Sequence, residues 1–186
     1  MKNLFLTLFM AAITISAFCQ DKQSTTSGHI KFFSSTPAED IEANNYKIIS
    51  NINQVTGVIV FSVPMQSFEF EKALMQKHYN SKKFLDTKTF PKSKFKGTIT
   101  NLAAINFAND GVYEADVKGA LTIHGVTKEI SEKFTITIKE GKVTGTTEFD
   151  IVLSDYGVIF KGGKPSTNIS KTIKITANLN YGKVST

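Results

Sequence analysis

The chain has 186 residues, 41% of them hydrophobic and 20% charged, which is enough for one packed core and too little for two domains of ordinary size. Its 22 basic side chains against 16 acidic ones leave a net charge of +6, and every basic side chain is a lysine. Without arginine there is no bidentate fork for guanines or phosphates, which argues against a nucleic-acid partner, and one cysteine excludes an internal disulfide or a Cys-ligated zinc site.

Residues 1–19 read as a secretory signal peptide. Lys2 precedes LFLTLFMAAITI, an apolar run too short to span a bilayer, and Ala17 and Cys19 stand three and one positions before a cut after Cys19. This predicts export, to the periplasm or outside the cell, and a mature chain with no thiol. The alternative is a lipoprotein signal with Cys19 acylated, which wants a small residue where this chain has Phe18. Residues 20–27, QDKQSTTS, are polar and aperiodic and read as a flexible tail, leaving one domain over 28–183.

Within that domain HIKFF, YKIISNIN, VIVFSV and SKFKGTIT read as short strands, with Pro64 and Pro91 marking element ends. Between the prolines, FEKALMQKHY puts Phe70, Ala73, Leu74, Lys77 and His78 on one face of a helix that should cap or flank the sheet. His78 then sits near the helix C-terminus, either as a half-buried, satisfied histidine or as a polar contact at the mouth of a cavity.

From residue 112 onward the pattern has period two. In VYEADVKGALTIH the residues Tyr113, Ala115, Val117, Gly119, Leu121 and Ile123 are apolar or small, and their neighbours are polar. The alternation returns in Phe134, Ile136 and Ile138, in Val143, Gly145, Phe149 and Ile151, and in Ile173, Ile175, Ala177 and Leu179. Asn109-Asp110-Gly111 and Glu140-Gly141-Lys142 supply turn residues for tight hairpins between these runs, and His124-Gly125 marks another bend.

The result is an all-β domain with one short helix, expected to close as an antiparallel barrel of about eight strands, because closure removes exposed edges. An eight-strand interior admits packed side chains or one elongated ligand. The candidate wall is Tyr113, Val117, Leu121 and Ile123 on one strand, Phe134 and Ile136 on the next, Phe149 and Ile151 on the third, and Ile173 and Ile175 on the last. His78 and Tyr156 are candidates for the mouth. Gly119 and Gly145 face inward, either leaving room for a ligand or relieving strand curvature.

No catalytic constellation accompanies this wall. His29, His78 and His124 are scattered, HExxH and GxSxG motifs are absent, and FKGGKPST (160–167) places Gly163 where a phosphate loop needs its lysine. That segment reads as a mobile basic loop. Neither a metal nor a cofactor is expected, and the balance favours binding over catalysis.

At MQKHYNSKKFLDTKTFPKSKFKG, GALTIHGVTKEI and FDIVLSDYGV the chain resembles the YceI-like family, whose signature is closest in Leu-Thr-Ile-His-Gly-Val-Thr-Lys at 121–128. The resemblance implies a lipocalin-like barrel with the helix over one side and a long-chain amphiphile inside: a polyisoprenoid, an isoprenoid quinone or a fatty-acyl lipid. The family often carries an arginine before Ser-Asp-aromatic-Gly, where this chain has Leu153, so no head-group role is carried over to that position. The expected function is sequestration or carriage of such a lipid, compatible with transient membrane contact and with a homodimer. A solidly filled structural barrel, or an enzyme that uses a bound lipid or quinone, are the competing readings.

Overall fold

A computed structural model describes residues 22–25, 27–160 and 167–183. The signal-peptide reading of residues 1–19 and most of the basic-loop reading (161–166) lie outside the described residues. The elements are β1 (Lys22–Thr25), β2 (Ser27–Ser35), β3 (Asp40–Asn45), β4 (Ile49–Asn53), β5 (Val58–Pro64), β6 (Glu69–Phe70), α1 (Ala73–Asn80), β7 (Lys92–Ile99), β8 (Gly111–Ile123), β9 (Val126–Lys139), β10 (Lys142–Val152) and β11 (Thr172–Lys183). All eleven strands join one antiparallel sheet in the order β1-β4-β5-β7-β8-β9-β10-β11-β2-β3-β6.

The period-two pattern does what its chemistry demands. In β7, Ser93, Phe95, Gly97 and Ile99 are buried while Lys92, Lys94, Lys96 and Thr98 face water, so the strand has one dry face and one lysine-rich face. Ile52, Ile59, Ile136 and Val143 lie fully buried at the centre of the resulting core. The longest ladder, β8 with β9, runs from Gly111↔Ile138 to Ile123↔Val126. His124 (φ 50°) and Gly125 (φ 76°) close it as a two-residue turn, and a Cβ on Gly125 would stand 2.6 Å from the Phe90 ring. Glu140 and Gly141 close the β9–β10 hairpin with the same backbone signs.

The sheet curls strongly into a half-barrel, with eleven strands where about eight were expected. Its margins β1 and β6 do not pair with each other. Three of these strands, β1, β3 and β6, carry no strand signal in the sequence pattern. Lys22–Thr25 pairs with β4 from Lys22↔Asn53 to Thr25↔Ser50, where a flexible tail was expected. Ladder hydrogen bonds come from the backbone, so a polar segment can form a strand without showing hydrophobic alternation. β3 is hidden by its Asp, Glu and Asn content, although Ile41, Ala43 and Asn45 alternate inward.

Two further expectations change. Residues 100–110 form an eleven-residue connection with a 3-10 turn at Leu102–Ala104, so Asn109-Asp110-Gly111 does not make a tight hairpin. Asp110 instead uses its carboxylate to accept from the Glu140 N–H at 3.0 Å. The helix also turns a different face inward: Leu74 is 64% exposed and His78 is exposed, while Tyr79 is 5% exposed and buried against the sheet. Tyr79 carries the larger apolar surface, and burying it decides the rotation.

Candidate functional site: an apolar cavity and its outer pocket

The inward faces of the curled sheet enclose a cavity of about 150 Å³, walled almost wholly by aliphatic and aromatic side chains. Eight of the ten wall residues expected from the sequence line it: Val117, Leu121, Ile123, Phe134, Phe149, Ile151, Ile173 and Ile175. Tyr113 and Ile136 do not. Tyr113 lies toward the far end, its hydroxyl donating to the Asn109 carbonyl at 3.1 Å, and Ile136 is fully buried within solid core. At that end Ala115, Ile136, Ile138 and Val143 pack one another, so alternation continues where the hollow has ended.

The first half of the chain supplies the opposing wall: Ile30 and Phe32 on β2, Ile59, Phe61 and Val63 on β5, and Phe95 on β7. The same alternation in HIKFF, VIVFSV and SKFKG marks these positions. Tyr79, Phe68 and Leu85 were not legible in this way, since they come from α1 and its flanks. The two inward glycines leave no room. A Cβ on Gly119 would stand 2.3 Å from Gly97 Cα and 2.4 Å from the Lys96 carbonyl, and one on Gly145 would stand 2.3 Å from Phe134 Cζ. Their vacant volume is used by β7 backbone and by the Phe134 ring, which permits the tight curl of β7 over β8.

A second pocket, about 530 Å³, lies between β2, β3, α1 and the residues around Phe160 and Ile169. It shares Phe32, Tyr79, Leu153 and Ile173 with the inner cavity, so the two compartments meet at these four side chains. Phe32, Phe68, Phe70 and Tyr79 form the partition, with ring centroids 5.0–5.8 Å from one another in five contacts. The outer pocket has polar lining as well: Lys72, His78 and Lys83 border it, and Lys72 Nζ bonds Glu39 Oε1 at 2.9 Å. Glu39 Oε2 accepts from Asn168 Nδ2 at 3.0 Å. That bond ties Asn168 to the rim. His78 therefore borders the outer pocket. Tyr156 lies deeper, in the inner wall.

Polar groups inside are few. Ser93 Oγ donates to the Thr122 carbonyl at 3.0 Å. The Tyr79 hydroxyl meets only Met65 Sδ, at 4.0 Å, among the described residues, and burial pushes this phenol well above its ordinary range. Burial also raises the Tyr156 phenol, with Asp155 and Glu132 adding to the effect. Glu132 is the carboxylate of the cavity wall; sequence reasoning passed over it because a charged residue breaks the apolar pattern.

The remaining histidines do other work. His124 is a corner residue, edge-on to Phe90 at 4.7 Å, with Nδ1 3.3 Å from the Tyr156 carbonyl. His29 bonds Asn44 Oδ1 at 2.7 Å and stacks on Tyr46 outside the cavity. Among the described residues no group of three His, Cys, Asp or Glu side chains could hold a metal ion.

Comparison with known proteins places this architecture. A UPF0312 protein of Pseudomonas fluorescens Pf-5 is 37% identical over 102 residues, covering 50% of this chain and 49% of its own. Another, from Pseudomonas fluorescens SBW25, is 33% identical over 131 residues, covering 67% of this chain and 62% of its own. The chain spans about half the length of the curated relatives it matches first. Among solved structures, a polyisoprenoid binding domain from Saccharophagus degradans superposes with a TM-score of 0.73 at 15% identity, covering 88% of this chain and 99% of that one. Burkholderia cenocepacia BcnA follows at 0.65 and 16%, covering 82% and 95%. At such identities these likenesses speak for the fold. The YceI-like domain model matches residues 11–181, a span that takes in all but the last two residues of the curled sheet, both compartments and the 121–128 signature; this chain belongs to the YceI-like family.

Proposed function

We propose that the protein is a lipid-binding carrier that takes a long-chain amphiphile (a polyisoprenoid, an isoprenoid quinone or a fatty-acyl lipid) out of water into its interior. The observation that carries this reading is the meeting of an apolar cavity with a larger, partly polar pocket at Phe32, Tyr79, Leu153 and Ile173. A largely apolar cavity of about 150 Å³ suits a benzene-sized guest, so a long chain uses both compartments. Each buried methylene is worth about 0.8 kcal/mol, so ten gross roughly 8 kcal/mol, from which immobilising the chain takes back several.

The reading includes a lipocalin-like enclosure. Support for it comes from β1 packing against β11 and from Ser50 Oγ on β4 meeting the Tyr181 hydroxyl on β11 at 2.7 Å, contacts that draw the flanks of the sheet together. It also includes export after cleavage near Cys19, supported by the leader-like residues 1–19, and transient membrane contact while lipid is loaded or released. The family's solved neighbours favour binding over catalysis, since the first is described as a polyisoprenoid binding domain. Native mass spectrometry of the purified protein, followed by organic extraction, tests the proposal. A bound long-chain lipid is expected; protein recovered repeatedly empty and indifferent to added lipid would overturn it.

A further inference from the structure

The ladder between β9 and β10 stops halfway. Pairing runs from Lys142↔Lys139 only to Thr146↔Thr135, although β10 continues to Val152 and β9 begins at Val126. Beyond that point β9 pairs only with β8 and β10 only with β11. The two strands part over the six residues Thr147–Val152, about 20 Å of strand. One end of the resulting slot is pinned by Thr147 Oγ1 donating to the Lys133 carbonyl at 2.6 Å, and the other by Tyr156 against His124.

The slot reaches the cavity. Its lips, Ile130 and Glu132 on β9 and Phe149 on β10, all line the cavity, yet are only half-buried, whereas the paired continuation, Phe134, Ile136 and Gly145, is buried. Glu132 points inward because it is paired with Val117, a buried wall residue. Among the described residues its carboxylate has no hydrogen bond or ion pair. Burial, with Asp150 adding to it, raises the proton affinity of this carboxyl above its ordinary value.

The charge around the slot is acidic. Asp150 and Asp155 raise the proton affinities of Glu132 and Tyr156 respectively. Of the lysines on the flanking strands, Lys133 pairs with Asp116 and Lys174 with Glu148 at 2.7 Å, while Lys128 on β9, in register with Leu121, is exposed. Lys94, also at the cavity wall, is exposed on β7, two strands from the slot. An apolar hollow opening beside an unpartnered carboxylate fits an amphiphile whose polar end supplies hydrogen-bond donors, and disfavours one whose polar end is an anion.

We propose that the slot between β9 and β10 is where the polar end of the bound lipid reaches water, and that Glu132 selects a head group that donates hydrogen bonds and carries no negative charge: an alcohol, an amide or an amine. This rests on the lipid-binding reading and names the head-group class for it.

The experiment uses delipidated protein and three probes: diphenylhexatriene, a pure hydrocarbon reporter of the cavity, and hexadecanol and hexadecanoate as competitors of equal chain length at about pH 8. The expected result is at least tenfold tighter competition by the alcohol than by the carboxylate, narrowing to under threefold in Glu132→Gln and reversing in Glu132→Lys. Dividing each value by the variant's own diphenylhexatriene affinity removes any general loss of folding or cavity. Failure of the wild type to take up diphenylhexatriene sinks the lipid-binding reading itself. Uptake without a preference for the alcohol, or a preference that Glu132→Gln leaves intact, overturns the role of Glu132 alone.

Discussion

Replacing Tyr79 with phenylalanine removes one oxygen from the partition between the compartments and nothing else. Tyr79 is 5% exposed, and among the described residues its hydroxyl has only Met65 Sδ, 4.0 Å away, as a partner. A thioether is a weak acceptor, so the hydroxyl gives up its hydration with little return, a deficit of about 1–3 kcal/mol in comparable buried sites. The ring contacts with Phe32, Phe68 and Phe70 remain in the variant, because they involve the ring and not the oxygen. Delipidated Tyr79→Phe is therefore expected to be more stable than wild type by about 1 kcal/mol. In thermal terms this is a Tm rise of about 2–4 °C for a chain of this size. Urea unfolding followed by circular dichroism, with an unchanged slope, measures it. A variant less stable than wild type by 1 kcal/mol or more would show that the hydroxyl has an ordinary hydrogen-bond partner, and would refute the account of the partition as a nearly dry aromatic wall.

Gly119→Ala should cost about 1–3 kcal/mol, because its Cβ meets the backbone of Gly97 and Lys96, which cannot swing away. Gly145→Ala should cost less, since the obstacle there is the Phe134 ring; equal or reversed losses in urea unfolding would contradict the close-approach geometry. Leu121→Trp should fill the cavity and cut lipid occupancy in native mass spectra at least tenfold with little change in stability. A loss of about 3 kcal/mol would instead indicate a core already full. Glu132 holds its proton to higher pH in the folded chain than in the unfolded one. Its carboxylate is therefore neutral in both states below the ordinary glutamate range, and it penalises folding as pH rises through its raised value. The Tm advantage of Glu132→Gln over wild type should grow as pH rises from the ordinary glutamate range through the raised value, and a flat or falling difference would count against the desolvated carboxylate.

Most of the cavity's far wall was legible because inward side chains recur every second residue in β8 to β11, and eight of those ten positions do face the hollow. Strand β1 is not legible, since a polar segment pairs through its backbone and leaves no hydrophobic trace, while β3 is masked by its Asp, Glu and Asn content and β6 is only two residues long. The helix was legible as an element but not in its rotation. The spacing of Leu74 and His78 defines one candidate face, and the contest with the bulkier Tyr79 is settled only when the helix meets the sheet.

Sequence alone determined the class of the fold, its dry and wet faces and the turns at His124-Gly125 and Glu140-Gly141, because these depend on side-chain chemistry and backbone preference over a few neighbouring residues. Where the hollow ends, which glycines are filled by a neighbouring ring, and that β9 parts from β10 beside Glu132 were decided by tertiary structure. Each of these depends on how far the sheet curls, and curl is a sum over strands far apart in the chain.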